Sequence, residues 1–424
     1  TIDAAGQDGG EGLYYDCFST VKTGNGVQGG RGGTGGGKGG TDGKYTWKQS
    51  TKVTATNGLA GYGATSSSIG RSGGGGLYYR TSPYSYDYYG AGGSGAGHAN
   101  DGEDGTYGYY SGSYSKPIPP GGSSFGYEDL RNGPEGGSGG GCGGSVVLGG
   151  GYTSGSYIYG YWGYSSGGAG GGGGGAVKLV AGGKVTLTKN GRILANGGDG
   201  GDTVAYSPYG GLYYKRSYTS YTGYAYYGRY SMYPGGGGGG SGGSIHVMAG
   251  GGHEMHGLID VSGGEGGAGY KYSYKYQSGS YSYSTDYQKH WGGDGGDGRL
   301  KVDGDAIIDP TKGVNFQGVV AVGTATAISG GTGTSSWTVV GSASVNTDTG
   351  SGAPSGSFNS TTGRFSVKDF TVTSGSTLRV TGSKPLVVYA SGDVDISGKI
   401  DASGADATDW KGTTSSYGSS SGWR

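Results

Sequence analysis

Residues 235–267 read GGGGGGSGGSIHVMAGGGHEMHGLIDVSGGEGG. A glycine tract enters a short apolar strand, AGG turns the chain, and a second short segment follows. Leu258-Ile259-Asp260-Val261 then leads into another glycine turn. The same order recurs along the chain, and this recurrence limits the possible folds more than any other feature. The first strands are SVVL from Ser145, AVKLV from Ala176, SIHVM from Ser244, RLKV from Arg299 and LVVYA from Leu386. The second strands are VTL from Val185 and VDI from Val394, with HEM from His253 a weaker match. The third are TIDAAG from Thr1, RILANG from Arg192, LIDVSG from Leu258 and KIDASG from Lys399. Apolar and polar residues alternate within them, which is the period of a strand. One such unit cannot bury its inward face, whereas stacked units can. The sequence therefore predicts a mainly β fold, a glycine-rich parallel β-solenoid with polyglycine-like tracts and Tyr-rich insertions.

Glycine supplies 112 of the 424 residues, several times the usual share of about 7%. Each ordered glycine loses more backbone entropy than any other residue, so a regular hydrogen-bonded arrangement has to offset it. In GNGVQGGRGGTGGGKGGTDG (24–43) glycine pairs recur every three residues. Three residues is the repeat of the extended polyproline II-like helix, and glycine lets such helices lie close together. A disordered linker is the competing reading. Four regions follow from the composition: a glycine- and tyrosine-rich segment with a partial coil (1–129), glycine-rich solenoid repeats (130–304), a Thr/Ser/Val-rich β segment (305–383), and a terminal coil with a tail (384–424).

Several function classes are disfavoured. Thirty basic residues balance thirty acidic ones, without the basic block of a nucleic-acid groove or a membrane-surface patch. No apolar run approaches the ~18 residues of a membrane span. Asp294 with Asp297, and Asp199 with Asp202, are close in sequence but lie in glycine turns with no basic or histidine partner in a motif. That is a poor basis for the carboxylate pair of a polysaccharide hydrolase, and no Ser-His-Asp or Cys-His arrangement is legible. The expectation is that the chain is no enzyme.

Tyrosine carries the strongest functional signal, with 40 residues. Its insertions alternate Tyr with Ser, Gly or Lys, and an aromatic ring with a polar tip suits contact surfaces. Tyr213, Tyr214, Tyr226, Tyr227, Tyr272, Tyr274, Tyr276 and Trp291 are the candidate adhesive or inter-subunit residues; packing over the solenoid is the structural alternative. Calcium is the one candidate metal. GGDGGDTVA at 197–205 fits a calcium-binding nonapeptide, with Asp199 and Asp202 as ligands. The simpler reading is acidic side chains solvating a glycine bend. His246, His253 and His256 beside Glu254 read as surface residues. Cys17 and Cys142 can form one disulfide or remain two thiols. TIDAAG at one end and KIDASG at the other predict head-to-tail stacking through Ile2, Ala4, Ile400 and Ala402. A fragment of a longer solenoid would share this pattern.

The strings VVYASGDVDISGKIDASG and GGGGGGSGGSIHV resemble glycine-rich parallel β-helix proteins of secreted or surface-exposed bacterial type. The resemblance covers 136–302 and 355–404, about half the chain. In that group the GDVDISGKIDASG segment precedes the glycine tracts; here it follows them, as in a permuted unit. The resemblance implies an extracellular or cell-surface location. The expected function is a structural protein, the self-associating subunit of a surface filament or matrix fibre. A glycan- or surface-binding adhesin, like a phage tail-fibre tip, is the alternative, and a carbohydrate-active enzyme the weaker third.

Overall fold

The computed structural model describes residues 2–3, 14–16, 23–24, 28–41, 45–46, 55–71, 76–78, 87–106, 118–130, 133–154, 157–165, 167–202, 212–213, 229–269, 273–278, 281–286, 291–303, 306–307, 316–317, 319–323, 332–381 and 384–401. They are mainly β, with no helix among the described residues, and hence no helix long and apolar enough to cross a membrane.

Three sheets of seven, six and seven strands hold the aligned repeats. Sheet one runs in the order Val319–Gly323, Arg299–Asp303, Ser244–Ala249, Ala176–Ala181, Leu386–Ala390, Arg364–Val367 and Phe358–Asn359. Sheet two is Ala306–Ile307, His253–Met255, Val185–Leu187, Val394–Ile396, Phe370–Val372 and Trp337–Val339. Sheet three is Phe316–Gln317, Leu258–Asp260, Arg192–Leu194, Ile2–Asp3, Lys399–Asp401, Thr377–Thr381 and Ser342–Asn346. All neighbours are parallel except Phe358–Asn359 against Arg364–Val367. The chain visits the sheets in rotation, and the register matches the sequence alignment. Val185 pairs with both Val394 and His253, and Ile193 with both Ile2 and Ile259. The segment 305–383, set apart by composition, contributes strands to all three sheets.

Alternation fixes which side chains enter the core. Val177, Leu179 and Ala181 are fully buried, and their neighbours across the sheet, Ile245, Val247 and Ala249, continue the same ladders. Leu386, Val388 and Ala390 extend them on the other side. At the Trp337 end, Phe365 and Phe370 pack against the Trp337 ring at centroid distances of 5.5 and 4.9 Å. The AGG turns stack as well: the Gly182 amide donates to the Ala390 carbonyl and the Gly250 amide to that of Ala181. Gly252 closes its corner with φ 89°, a conformation open to glycine and strained for other residues.

The glycine tracts form a second body that grows out of the sheets. Tracts leave sheet three at Ala195 and Val261 and return to sheet one through 234–243 and 291–298. Their amides pair between tracts at every third residue. Gly137, Gly140 and Gly143 donate to Gly174, Gly171 and Gly168, and Gly30 and Gly33 donate to Gly170 and Gly173. Three residues is also the period of a polyproline II helix, and Ser241, donating to Ser138, takes part in the same pattern. A methyl group on Gly140 would lie 2.0 Å from the Gly238 oxygen, and one on Gly237 1.9 Å from the Ala169 oxygen. No side chain fits between these backbones.

The outer ends of the tracts meet one another. Amides of Gly144, Gly235 and Gly168 donate in series to carbonyls of Ala91, Gly144 and Gly235, and Gly292 donates to Gly267. Tyr-rich segments follow or precede these residues. Their described parts are short strands: the hairpin Val146–Ser154 with Tyr157–Ser165, the hairpin Ser273–Ser278 with Tyr281–Asp286, and Leu212–Tyr213 with Arg229–Tyr233. The first of these corrects the sequence alignment. Val146–Leu148 pairs with Gly76–Tyr78 and Tyr157–Ser165 instead of joining sheet one. The tract before it runs outward, antiparallel to 167–175, so it delivers its strand to the opposite end.

Candidate functional site

The outward positions of sheet one form a row across the strands: Arg364, Val387, Lys178, His246 and Lys301 are successive register partners. His246 is buried toward one end of this row, and the glycine body faces the other through Tyr62, Gly133 and Pro134. Near Arg364 and Lys178 it leaves a cleft of about 230 Å³, lined also by Tyr62, Pro134, Lys384 and Tyr389. The Arg364 guanidinium sits 5.1 Å from the centre of the Tyr389 ring. Thr347 Oγ1 donates to the Lys384 carbonyl at 2.9 Å, and Asn359 Oδ1 accepts the amides of Thr361 and Thr362, both at 3.0 Å, which shapes the rim loop.

Among the described residues, Lys178, Arg364 and Lys384 make no ion pair. Burial, and then the nearby Arg364 charge, hold the Lys178 ammonium below its ordinary pKa. Asp303, whose charge acts on Lys178, is engaged elsewhere: its Oδ2 lies 2.7 Å from His246 Nε2 and 3.4 Å from Lys301 Nζ. Among the described residues, no carboxylate pairs with the three cations that line the cleft.

A second polar cluster joins the glycine body to sheet one. Glu135 Oε2 lies 3.5 Å from both His98 Nε2 and Arg299 NH1. His98 Nδ1 is 2.6 Å from the Gly242 carbonyl, and its ring stacks on Phe125 at 4.5 Å. Ser244 Oγ accepts the Glu135 amide and donates to the Glu135 carbonyl. His98, Glu135 and Arg299 are all buried. Burial lowers the pKa of His98 and of Arg299, with Glu135 opposing both shifts. A buried network of this kind fixes how two bodies meet.

The residues singled out by sequence are scattered. Tyr213, Tyr274 and Tyr276 lie on the short outer strands, where Tyr276 is register partner to Tyr283. Tyr214, Tyr226, Tyr227 and Tyr272 lie outside the described residues, as do Ala4, Ala402 and Cys17. Trp291 is exposed, and its carbonyl accepts a hydrogen bond from Thr106 Oγ1. Asp199 and Asp202 take backbone amides of the adjacent tract, Oδ1 accepting from Glu265 at 2.8 Å and from Ala268 at 2.7 Å. Among the described residues no three His, Cys, Asp or Glu side chains converge as for a metal ion. Cys142 is buried in its tract, its thiol 3.3 Å from the Gly143 carbonyl.

Two expectations change. The histidines read as surface residues include two buried ones. His253 takes an inward register position beside Val185, and His246 is buried beside Asp303. Burial depresses both pKa values, that of His246 to about 4. Ile2 and Ile400, assigned to a junction between subunits, pair with each other within one chain. Ile2–Asp3 is the central strand of sheet three, with Arg192–Leu194 on its other side. In sheets one and two the corresponding strands, Leu386–Ala390 with Ala176–Ala181 and Val394–Ile396 with Val185–Leu187, adjoin directly. Sequence reading missed the cleft entirely, although one signal was available: aligning AVKLV, SIHVM and RLKV puts Lys178, His246 and Lys301 in one column.

No protein-family model, curated protein or solved structure matches this chain.

Proposed function

We propose that the chain is an extracellular structural protein, the subunit of a surface filament or matrix fibre. In this reading a parallel β-solenoid anchors a polyglycine array, and the array presents Tyr-rich segments as a contact face. The chain has no catalytic role. The observation that carries the reading is the meeting of the tract ends at Ala91, Gly144, Gly168, Gly235, Gly267 and Gly292. Close-packed glycine tracts make a stiff mount, because most contacts between them are backbone on backbone and leave few side-chain rotamers to give way. Tyrosine suits the role at the far end, since it buries a large ring with two rotatable angles and keeps a hydroxyl for hydrogen bonding.

Electron microscopy of the purified protein tests this reading. Filaments or ordered bundles are expected, with the insertion tyrosines protected from nitration in the assembled state. Monodisperse monomers at high concentration would overturn it.

A further inference from the structure

We propose that the cleft bounded by Lys178, Arg364, Lys384 and Tyr62 binds an acidic saccharide, with a uronate carboxylate held by Arg364 and Lys384. Three positive side chains line one cavity of about 230 Å³ and have no carboxylate partner among the described residues. Bringing like charges together beside a partly buried wall is unfavourable unless an anion completes the site. Arg364 is already oriented by the Tyr389 ring, which leaves its planar fork free for a bidentate carboxylate. Lys384 is placed by its backbone contact to Thr347. Lys178 lies on the strand floor between Val387 and His246.

Saccharide is favoured over an acidic peptide by the rest of the lining. Tyr62 has 53% of its surface exposed and offers a flat apolar face to the C–H side of a sugar ring. Thr361 and Thr362, on the rim, supply hydroxyls that can exchange hydrogen bonds with sugar hydroxyls. A volume this small suits one sugar residue of a chain, with the remainder lying across the exposed rim. The inference does not depend on whether the chain polymerises.

The test is a titration of the full-length protein with a short oligogalacturonate, its neutral methyl ester, and poly-glutamate as a charge-matched peptide. Saturable binding of the oligogalacturonate is expected, with the methyl ester and poly-glutamate each weaker by about tenfold or more. Arg364→Gln and Lys384→Gln are each expected to weaken oligogalacturonate binding by about tenfold while leaving the melting temperature unchanged. Arg364 is exposed in the fold, so this variant keeps the core intact. Equal binding of the methyl ester or of poly-glutamate would overturn the proposal, as would unaltered binding by both variants.

Discussion

Replacing Gly140 with alanine is a direct test of the glycine body. The new methyl would sit 2.0 Å from the Gly238 oxygen and 2.6 Å from both the Gly238 carbon and the Gly239 oxygen. All are backbone atoms, so no side chain can swing aside. Normal contact distances are about 3.5 Å, and the facing tract would have to move by more than about 1 Å. The Gly238 amide donates to Gly141, and the Gly238 carbonyl accepts from the Gly171 amide. A displacement of that size breaks both bonds, at about 1 kcal/mol each. Overpacking adds about 1–3 kcal/mol. Alanine restricts the unfolded chain and offsets about 0.4–1 kcal/mol of this. The net expectation is a loss of about 3 kcal/mol, read as a lower urea midpoint at unchanged slope. Gly356→Asn is the control: its φ is 73°, nothing lies within 4 Å of the added carbon, and asparagine tolerates that conformation. A Gly140→Ala protein that unfolds at or above the wild-type midpoint would refute the packed array. A flexible glycine linker behaves in that way, because alanine there only trims the unfolded ensemble.

Acid should destabilise the fold through its buried histidines. Native His246 titrates at about 4 against 6.5 in the unfolded chain, so the unfolded state binds more protons between those values. Stability therefore falls as pH drops from about 6.5 toward 4 and is flat above that window; His98 and His253 shift in the same direction. Urea midpoints measured across this range should fall more steeply for wild type than for His246→Gln, and identical profiles would refute the assignment. Removing residues 1–6 strips the central strand from sheet three and leaves Arg192–Leu194 and Lys399–Asp401 without that neighbour. The truncated chain should self-associate by light scattering, and added TIDAAGQ peptide should reverse this; a monomer of unchanged stability would count against the pairing. Asp199→Ala should lower stability by about 1 kcal/mol through the lost hydrogen bond to the Glu265 amide, while a chelator leaves the wild-type melting temperature unchanged. A drop on chelation would restore the calcium reading.

Local alternation made much of the sheet register readable. Ile2, Ile193, Ile259 and Ile400 were aligned by their xIDxxG-like settings, and successive members of that set are register partners in sheet three. The three-residue glycine period likewise anticipated the spacing of the hydrogen bonds between tracts. What could not be read is anything that depends on direction. SVVL at Ser145 follows a glycine tract just as AVKLV at Ala176 does, but one tract runs outward and the other returns. The cleft was hidden for a related reason. Lys178, Arg364 and Lys384 come from distant parts of the sequence and meet because Leu386–Ala390 stacks between Ala176–Ala181 and Arg364–Val367. His253, in a weaker second-strand match and read as a surface residue, is accommodated inward because its Nε2 lies 2.9 Å from the Asp303 carbonyl.

The placement of Ile2–Asp3 also governs when the fold can close. Its partners, residues 192–194 and 399–401, are made long after it, and the second pair spans nearly the whole chain. Contacts of such sequence separation form late and slow folding. Until residues 399–401 are available, Ile2–Asp3 has a partner on one side at most, and its other edge stays open to pairing with any passing strand.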